Sequence, residues 1–418
     1  MNPGLYLHVP FCSAICPYCD FSVMHAAAPA RRRFASRLEA EVALAASDWR
    51  DPRPFDTVYF GGGTPSQLAP EELGRVLAAC RAHLEFETPA PWIFLEANPE
   101  DVTAEACAAW RRLGVRTLSL GVQSFSDEAL RFLGRHHTAR QARAVVEVAL
   151  AAGFDTISID LIFGLRGQTE EDWRRELEAA VELGPQHLSC YQLTIHPGTR
   201  FGVKAKHGLL AELPEDDQAT LFELTHRFLA DAGWPAYEVS NFARGDAHQS
   251  RHNRKYWDHT PYLGLGPSAH SLAVSDGSFA RRGEAPPRSS STIRFADASG
   301  VRRWWNERGT PRWETRLAAG ERPVEAQEVL SPKDLREEAL LLGLRTTAGI
   351  HLDDFAARYG LDLLAANGTL VARLVEDGRL VLRADPERGR WLLPTLSGLA
   401  VADGLAAAFD LEPPKPLN

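Results

Sequence analysis

The sequence predicts an α/β fold, in which helices cover a parallel β-sheet, with a smaller domain at the carboxyl-terminal end. Three observations support this prediction. Short apolar segments alternate with segments of helical periodicity through about the first 200 of the 418 residues, as in proteins built on parallel sheets. The chemically distinctive residues come late in those apolar segments or just after them, where α/β proteins place their sites. From Pro332 onward, a different order of helices and short strands begins.

Six strand-like segments come first, and a stretch with helical periodicity follows each of them. They are Gly4–Val9, Thr57–Phe60, Trp92–Glu96, Arg116–Gly121, Thr156–Ile162 and His187–Leu193. Between Thr138 and Leu150, apolar positions follow the 3.6-residue period of a helix. Pro70 and Thr169 supply the chemistry of helix starts. These six β/α units predict either a β/α barrel or an open parallel sheet.

Beyond Thr199 this alternation ends. The segment Asp216–Ala232 predicts one helix, and Ser275–Ser291 has the Gly, Ser, Pro and Arg content of a mobile loop. The carboxyl-terminal pattern predicts three helices and two short strands, namely Asp334–Leu344, Leu352–Tyr359, Leu370–Glu376, Arg379–Leu382 and Arg390–Leu393. This order resembles a winged helix, and without a dense basic cluster it favours docking or a lid over DNA binding. The predicted domains are residues 1–200, 201–330 and 331–418.

Composition and charge exclude several classes of protein. The net charge of −9 opposes broad attraction to nucleic acid or anionic lipid, so we predict no nucleic-acid partner. No apolar run approaches the roughly 20 residues of a membrane-spanning helix. The amino terminus also lacks the order of charged, apolar and small residues that marks a secretory signal. We therefore predict a cytoplasmic protein without a transmembrane segment.

Three of the six cysteines lie close together, in the segment Cys12-Ser13-Ala14-Ile15-Cys16-Pro17-Tyr18-Cys19. A disulfide framework is not spaced in this way, so the segment favours a metal site. Three thiolates on a [4Fe–4S] cluster leave one iron free to bind a small molecule. A structural zinc site and inert cysteines stay open as alternatives, although zinc usually has four protein ligands. Cys80, Cys107 and Cys190 fall in apparent helices and a strand, and we assign them no function.

The distinctive residues fall near the carboxyl ends of successive predicted strands. The cysteine segment follows the first strand, residues 61–64 follow the second, Glu96 closes the third, Gln123 follows the fourth and Asp160 lies late in the fifth. Because the carboxyl ends of parallel strands share one face, we expect these residues to form one site.

Several ordered segments resemble the radical S-adenosylmethionine (SAM) family that contains HemN and HemW. They are Tyr6–Cys12, the cysteine segment, Gly61–Ser66, Glu96–Pro99, Gly121–Phe125, Leu133–His136 and Asp160–Leu165. The resemblance runs in order from Tyr6 to about Leu272, and more weakly to the carboxyl terminus. It implies a partial (β/α)6 TIM-like radical SAM barrel, followed by a HemN-type carboxyl-terminal domain.

The resemblance also implies roles for the matching residues. Cys12, Cys16 and Cys19 would hold the [4Fe–4S] cluster. The positions that match SAM contacts are Tyr6, Gly62, Gly63, Thr64, Glu96, Gln123, Arg135 and Asp160, and Tyr18 is the aromatic residue inside the cluster loop. Glycine allows close approach to the backbone, and carboxylate and amide groups suit ribose hydroxyls and an ammonium group. An electron from the cluster would cleave a carbon–sulfur bond of SAM and give a 5′-deoxyadenosyl radical.

The family includes an oxidase and a heme chaperone. HemN-type coproporphyrinogen III oxidases typically carry another cysteine two residues after the third ligand, and here that position is Phe21. They also carry a longer segment before the cluster, whereas eleven residues precede Cys12. Both departures count against coproporphyrinogen oxidase activity and favour the chaperone.

A second motif favours the same assignment. His252-Asn253-Arg254-Lys255-Tyr256-Trp257 matches the HNxxYW pattern associated with heme binding in HemW. Imidazole is a common ligand of heme iron, and aromatic rings pack on a macrocycle. His252, Tyr256 and Trp257 are therefore the candidate heme residues, while His248, His259 and His270 stay open as alternative iron ligands.

Three hypotheses follow. The first is a heme chaperone that delivers heme to a client such as a respiratory enzyme, with an electron donor as a further protein partner. The second is a radical SAM enzyme acting on a porphyrinogen or another small molecule. The third is a β/α-barrel protein with a structural metal. One departure from the family, His196 where Glu is usual, puts the role of that position in doubt.

Overall fold

The computed structural model describes residues 1–274, 295 and 300–412. Its fourteen strands form one sheet of eleven strands and a second sheet of three. The strands of the large sheet are β1 (Gly4–Val9), β2 (Thr57–Gly62), β3 (Trp92–Ala97), β4 (Val115–Gln123), β5 (Thr156–Phe163), β6 (His187–Gln192), β7 (Asn241–Ala243), β8 (Tyr262–Leu265), β9 (His270–Val274), β10 (Val301–Asn306) and β11 (Val324–Val329). The small sheet contains β12 (Ile350–His351), β13 (Leu380–Asp385) and β14 (Gly389–Pro394).

The helices alternate with the first six strands and then follow the chain to its carboxyl-terminal end. They are α1 (Ala28–Asp48), α2 (Pro70–His83), α3 (Ala104–Arg112), α4 (Asp127–Phe132), α5 (Ala139–Ala151), α6 (Glu170–Leu183), α7 (Arg200–Lys206), α8 (Glu215–Asp231), α9 (Asn253–Trp257), α10 (Thr310–Ala318), α11 (Pro332–Leu344), α12 (Leu352–Tyr359), α13 (Leu363–Glu376), α14 (Leu396–Leu399) and α15 (Ala402–Ala407). No helix in the described part of the chain is long and apolar enough to cross a membrane.

The large sheet confirms the predicted order of the six parallel strands. Strands β1 to β6 lie side by side in chain order and pair in parallel. Beyond them, β7 joins β6 in antiparallel orientation, while β8 joins the other side of β1 in parallel and leads into the antiparallel strands β9, β10 and β11. Within the described residues the sheet is thus mixed and open, with β11 and β7 at its edges.

Alternation along the strands decides which side chains face the helices. On β4, Leu118, Leu120 and Val122 are buried in the main core, so the residues between them point to the opposite face. The same rule buries Leu5, Leu7 and Val9 of β1 completely. Polar residues on the alternate positions of several strands are thereby directed to one common side of the sheet.

The helix ends show why the sequence folds locally as predicted. Thr138 and Thr169 accept hydrogen bonds from backbone N–H groups in the first turns of α5 and α6. Helix α6 also begins with three acidic residues, whose negative charges interact favourably with the positive amino end of the helix dipole. It ends at Gly184, which has a left-handed conformation.

A second core includes Leu340, Phe355 and Leu392 of the carboxyl-terminal part, and it also contains Leu272 of β9 and Val301 of β10. The order of helix α11, strand β12, helices α12 and α13, and strands β13 and β14 in the carboxyl-terminal part agrees with the predicted winged-helix-like pattern. The division of the chain at residues 200 and 330 stays a prediction. The predicted mobile loop Ser275–Ser291 lies outside the described residues.

Candidate functional site

The three closely spaced cysteines lie on the loop between β1 and α1, at the carboxyl end of β1. Each is partly exposed, whereas the other three cysteines are buried. The Cys19 N–H donates to the Cys16 carbonyl oxygen (3.2 Å), and the Cys12 N–H donates to that of Met24 (3.1 Å). Burial raises the pKa of Cys12, and it raises the pKa of Cys19 to about 11. Both thiols are therefore protonated at neutral pH until a metal displaces the protons.

The cysteine loop forms one wall of a cavity of about 530 Å³, a volume typical of small-molecule sites. We call it the cysteine cavity. It brings together all the residues predicted to bind the cluster or SAM except Tyr6: Cys12, Cys16, Tyr18, Cys19, Gly62, Gly63, Thr64, Glu96, Gln123, Arg135 and Asp160. The Tyr6 side chain instead lines a neighbouring cavity, with its hydroxyl 3.1 Å from His8 Nδ1.

A chain of hydrogen bonds connects two of the cysteines. Thr64 Oγ1 donates to Cys12 Sγ (3.5 Å), and Asn98 Nδ2 donates to Thr64 Oγ1 (3.1 Å). Arg135 donates to Asn98 Oδ1 (2.7 Å) and to Cys16 Sγ (3.5 Å). One guanidinium group is thus held against a cysteine sulfur.

Arg135 retains an unused donor at this site. Its Nη2 also donates to the Gly121 carbonyl oxygen (2.8 Å). Its Nε is buried and has no hydrogen-bond partner among the described residues. A buried unpaired donor is costly, so this atom suits a ligand that brings an acceptor into the cavity.

Two buried carboxyl groups face the same cavity. Glu96 accepts hydrogen bonds from the Tyr59 hydroxyl (2.7 Å) and the Gly62 N–H (3.3 Å), and burial raises its pKa to about 7. Asp160 accepts from Ser119 Oγ (3.2 Å), and burial raises its pKa to about 6. Each group can therefore change charge near neutral pH and can accept from hydroxyl or ammonium donors.

The glycine turn after β2 leaves room that larger residues would fill. Gly62 has φ +110°, and a Cβ there would lie 2.5 Å from the His8 ring. A Cβ on Gly63 would lie 2.7 Å from the Phe11 carbonyl oxygen, on the backbone that leads into the cysteine loop. Both positions therefore require glycine for the turn and the loop to pack together.

Tyr18 and Gln123 complete the predicted set. Tyr18 packs near Phe201, with ring centroids 6.4 Å apart, and burial raises its pKa. Gln123 ends β4 with φ +70°, an uncommon conformation for a residue other than glycine. It sits where the register between β4 and β5 shifts, which turns its side chain toward the cavity.

The histidine of the HNxxYW motif lies at the opposite end of the strands. His252 is buried beside Thr57, the first residue of β2, with its Nδ1 2.8 Å from Thr57 Oγ1. Its Nε2 is 3.0 Å from the Tyr256 hydroxyl. Trp257 packs near Tyr237, with ring centroids 5.9 Å apart. The structure therefore does not bring His252 or Trp257 to the cysteine cavity, and heme ligation by His252 stays a prediction.

Sequence reasoning missed several residues that support the site. Asn98 connects Thr64 to Arg135, Tyr59 binds Glu96, and Ser119 binds Asp160. The signal for Asn98 was available, because it lies two residues after Glu96, directly beyond the carboxyl end of β3. Tyr59 and Ser119 are common residue types inside strands, so only the fold reveals their contacts.

The residues present fit an iron–sulfur cluster, because three free, partly exposed thiols line one cavity. No group of three His, Cys, Asp or Glu side chains converges on one metal position in the part of the chain that the structure describes. Three cysteines that line one cavity suit a cube in which each thiolate binds a different iron.

Comparison with known proteins identifies the family. Residues 6–180 match the model of the radical SAM superfamily, and residues 330–392 match that of the HemN C-terminal domain. A Mycobacterium tuberculosis protein named heme chaperone HemW is 36% identical over 392 residues, which cover 91% of this chain and 93% of the relative. The chain belongs to the HemW family of radical SAM proteins.

Other HemW relatives agree with this assignment. The Bacillus subtilis protein of that name is 31% identical, covering 89% of this chain and 91% of the relative. The Escherichia coli heme chaperone HemW is 37% identical over 66% of this chain and 72% of its own length. The solved structure of E. coli HemN, titled a coproporphyrinogen III oxidase and radical SAM enzyme, shares the fold, with a TM-score of 0.78 at 22% identity, covering 98% of this chain and 90% of HemN. Membership of the radical SAM family implies a [4Fe–4S] cluster and SAM.

Proposed function

We propose that this chain is a heme chaperone: it binds heme and, with a SAM-coordinating [4Fe–4S] cluster, delivers heme to a client protein. The observation that carries the proposal is the likeness over nine-tenths of the chain to relatives named heme chaperone HemW. Phe21 supports it, because it occupies the position where HemN-type oxidases typically carry a further cysteine. An electron donor and a heme-accepting client would be the protein partners.

The cluster would be held by Cys12, Cys16 and Cys19. Their loop is fixed by backbone hydrogen bonds to Met24 and within itself, so the three thiols are presented together on one wall. Thr64 and Arg135 would donate to two of the sulfurs, and hydrogen bonds to cluster sulfurs tune the reduction potential.

The remaining cavity residues would bind SAM. The buried carboxyl groups of Glu96 and Asp160 would accept from its hydroxyl and ammonium donors, while Arg135 Nε would donate to an acceptor. Gly62 and Gly63 would admit the ligand close to the backbone. When bound, the cluster supplies an electron for cleaving a carbon–sulfur bond of SAM.

The alternative function is oxidation of a porphyrinogen by a radical SAM reaction. The likeness to HemN shows the fold alone, and the cluster and SAM residues would serve either function. The difference lies in whether the tetrapyrrole is cargo or substrate.

A single preparation tests both functions. The protein is reconstituted with iron and sulfide under anaerobic conditions and then divided between a hemin titration and an assay with coproporphyrinogen III, SAM and dithionite. The proposal predicts stoichiometric heme binding and no decarboxylation. Catalytic formation of protoporphyrinogen would overturn it. A Cys16→Ser variant should lose cluster absorption, whereas the matched variant Cys80→Ser, at a buried cysteine outside the cavity, should keep it.

A further inference from the structure

A second cavity, of about 790 Å³, lies beside the cysteine cavity. Asp20, Phe21, Gly62 and Glu96 line both cavities, so the loop that follows Cys19 forms part of the wall between them. Ser22, from the same loop, also lines the second cavity, and its hydroxyl donates to the carbonyl oxygen of Arg308 (2.7 Å). We call this second space the tyrosine cavity.

The walls of the tyrosine cavity are rich in aromatic rings. Tyr6, Tyr256, Tyr262 and Trp305 line it, and the rings of Tyr256 and Tyr262 meet edge to face with centroids 4.7 Å apart. Flat aromatic walls on a cavity of this size suit a large planar ligand. Arg308 also lines the cavity and forms no ion pair with a described carboxylate, so it can pair with an acidic group of that ligand.

One histidine in this cavity is free to bind a metal. His270, the first residue of β9, is exposed, and its ring stacks on Trp305 of β10 with centroids 5.7 Å apart. No hydrogen bond from a described residue engages either of its ring nitrogens. The other lining histidine, His8, has both nitrogens engaged, by the Tyr6 hydroxyl and the Ser22 carbonyl oxygen.

The other candidate histidines are less suited. Both ring nitrogens are engaged in His252, by Thr57 and Tyr256, and in His259, by Tyr359 and Glu338. His248 binds Thr156, at the amino end of β5. His252 instead contacts the tyrosine cavity indirectly, because it holds the hydroxyl of Tyr256, one of the lining residues.

The wall that carries His270 and Trp305 is rigidly supported. The buried carboxylate of Glu41, on α1, accepts from Asn306 Nδ2 (2.5 Å), from the Gly266 N–H (2.8 Å) and from the Trp313 indole (2.9 Å). These contacts fix the turn before β9 and the end of β10. His270 and Trp305 are also a cross-strand pair in the register of these strands.

From this arrangement we propose that the tyrosine cavity is the heme site, with His270 as the iron ligand and Trp305 packed at its side. The inference rests on the proposed function and deepens it. Heme in this position would lie next to the loop that carries Cys19, so the cargo and the cluster would share the wall formed by Asp20 and Phe21. His252 is then a positioning residue, which acts through Tyr256.

The test is a hemin titration of the anaerobically reconstituted full chain, followed by absorption and electron paramagnetic resonance spectra. Removing even a group that only orients a metal ligand typically costs roughly tenfold in affinity, so His270→Ala should raise the dissociation constant at least that much. The variant should also lose the histidine-ligated spectrum. In His270→Gly, added imidazole should restore that spectrum. Trp305→Ala should weaken binding and keep the spectrum.

The matched control is His207→Ala, which removes an exposed histidine after α7 that lines neither cavity. It should bind heme as the unaltered chain does, and a loss there equal to that of His270→Ala would indicate adventitious surface binding and overturn the inference. An unchanged spectrum and affinity in His270→Ala would also overturn it while leaving the chaperone proposal intact. Failure of the unaltered chain to bind heme would instead count against the proposed function.

Discussion

At the scale of single residues, Arg135 connects several parts of the cysteine cavity by hydrogen bonds. It reaches a cysteine sulfur, the side chain of Asn98 and the carbonyl of Gly121 with two of its nitrogens, and the third has no partner among the described residues. A planar fork of donors is required for this arrangement, and lysine has only a compact ammonium group. The position therefore depends on the shape of the side chain as well as on its charge.

We expect Arg135→Lys to weaken SAM binding while the cluster still assembles. Hydrogen bonds to charged groups contribute about 1.5–3 kcal/mol, which corresponds to roughly a tenfold or greater loss of affinity. The measurement is a SAM titration of the reconstituted protein. Arg131→Lys, at an exposed residue of α4, is the control and should bind SAM normally. Equal affinities in both variants would show that Arg135 does not contact SAM.

The raised pKa of Glu96 predicts a pH dependence of stability. Burial raises this pKa from 4.5 to about 7, so between those values the folded state binds more protons than the unfolded state. The contribution of Glu96 to the free energy of unfolding is therefore greatest below pH 4.5 and falls as the pH rises toward 7. The whole change is on the order of 3 kcal/mol.

Urea unfolding of the metal-free chain at several pH values measures this effect. Glu96→Gln should remove the part of the decline that belongs to Glu96, so the stability of this variant relative to the unaltered chain should increase with pH. Glu128→Gln changes an exposed carboxyl group on α4 and should leave the slope unchanged. Parallel curves for the unaltered chain and Glu96→Gln would contradict the prediction.

At the scale of elements, the turn after β2 controls the cysteine loop. A Cβ on Gly63 would meet the backbone of Phe11 and Pro10, and backbone cannot move aside as the end of a flexible side chain can. We expect Gly63→Ala to cost about 1–3 kcal/mol of stability and to reduce iron incorporation. Urea unfolding and iron content of the reconstituted protein check both effects.

Gly198→Ala is the matched control for this substitution. Gly198 lies in the turn before α7, and an added Cβ would meet nothing within 4 Å. The control should therefore retain both stability and iron. If Gly63→Ala behaved in the same way, the cysteine loop would have to be more adaptable than its packing indicates.

The elements that the sequence predicted well are those with a local signal. Parallel strands buried on both faces produce continuous apolar runs, and β1 begins and ends at the predicted residues. By contrast, β11 reads Val-Glu-Ala-Gln-Glu-Val and is mostly exposed, so it carries no apolar pattern. Its place beside β10 depends on pairing between distant segments, which a local pattern does not specify.

The same distinction applies to the sites. The cysteine cavity was predictable because its residues follow successive parallel strands, whose carboxyl ends must meet. The tyrosine cavity was not, because it combines β1 with β8, β9 and β10, whose pairing crosses about 250 residues of chain. The contact that buries His252 against Thr57 also joins distant segments, so the sequence did not predict it.

At the scale of the whole molecule, a group of polar side chains joins the large sheet to the carboxyl-terminal helices. His259, between α9 and β8, lies 2.9 Å from the Tyr359 hydroxyl and 3.2 Å from Glu338. Arg303 of β10 donates to the same carboxylate (2.5 Å). Burial alone would raise the pKa of Glu338, but hydrogen bonds from His259 and Arg303 lower it to about 2.

We expect Glu338→Gln to loosen this junction. Loss of the charged acceptor should lower the free energy of unfolding by about 1–3 kcal/mol at neutral pH. Because the pKa is lowered, the contribution of Glu338 is present above pH 4.5 and disappears as the pH falls toward 2. Because the junction is looser in Glu338→Gln, backbone hydrogen exchange should become faster in α11 and α12. Asp353→Asn, which removes an exposed ion pair with Arg390, should change stability by less than about 1 kcal/mol; equal effects in the two variants would contradict the prediction.

The position of β1 inside the large sheet has a consequence for how the chain is made. Gly4 pairs with Thr57 on one side and with Tyr262 on the other. At roughly 5–20 residues per second, the ribosome completes β8 tens of seconds after β1. Arg308, which accepts from Ser22 of the cysteine loop, emerges later still. The three cysteines are therefore synthesised long before β8 and Arg308. We expect the cluster to be inserted only after most of the polypeptide has left the ribosome.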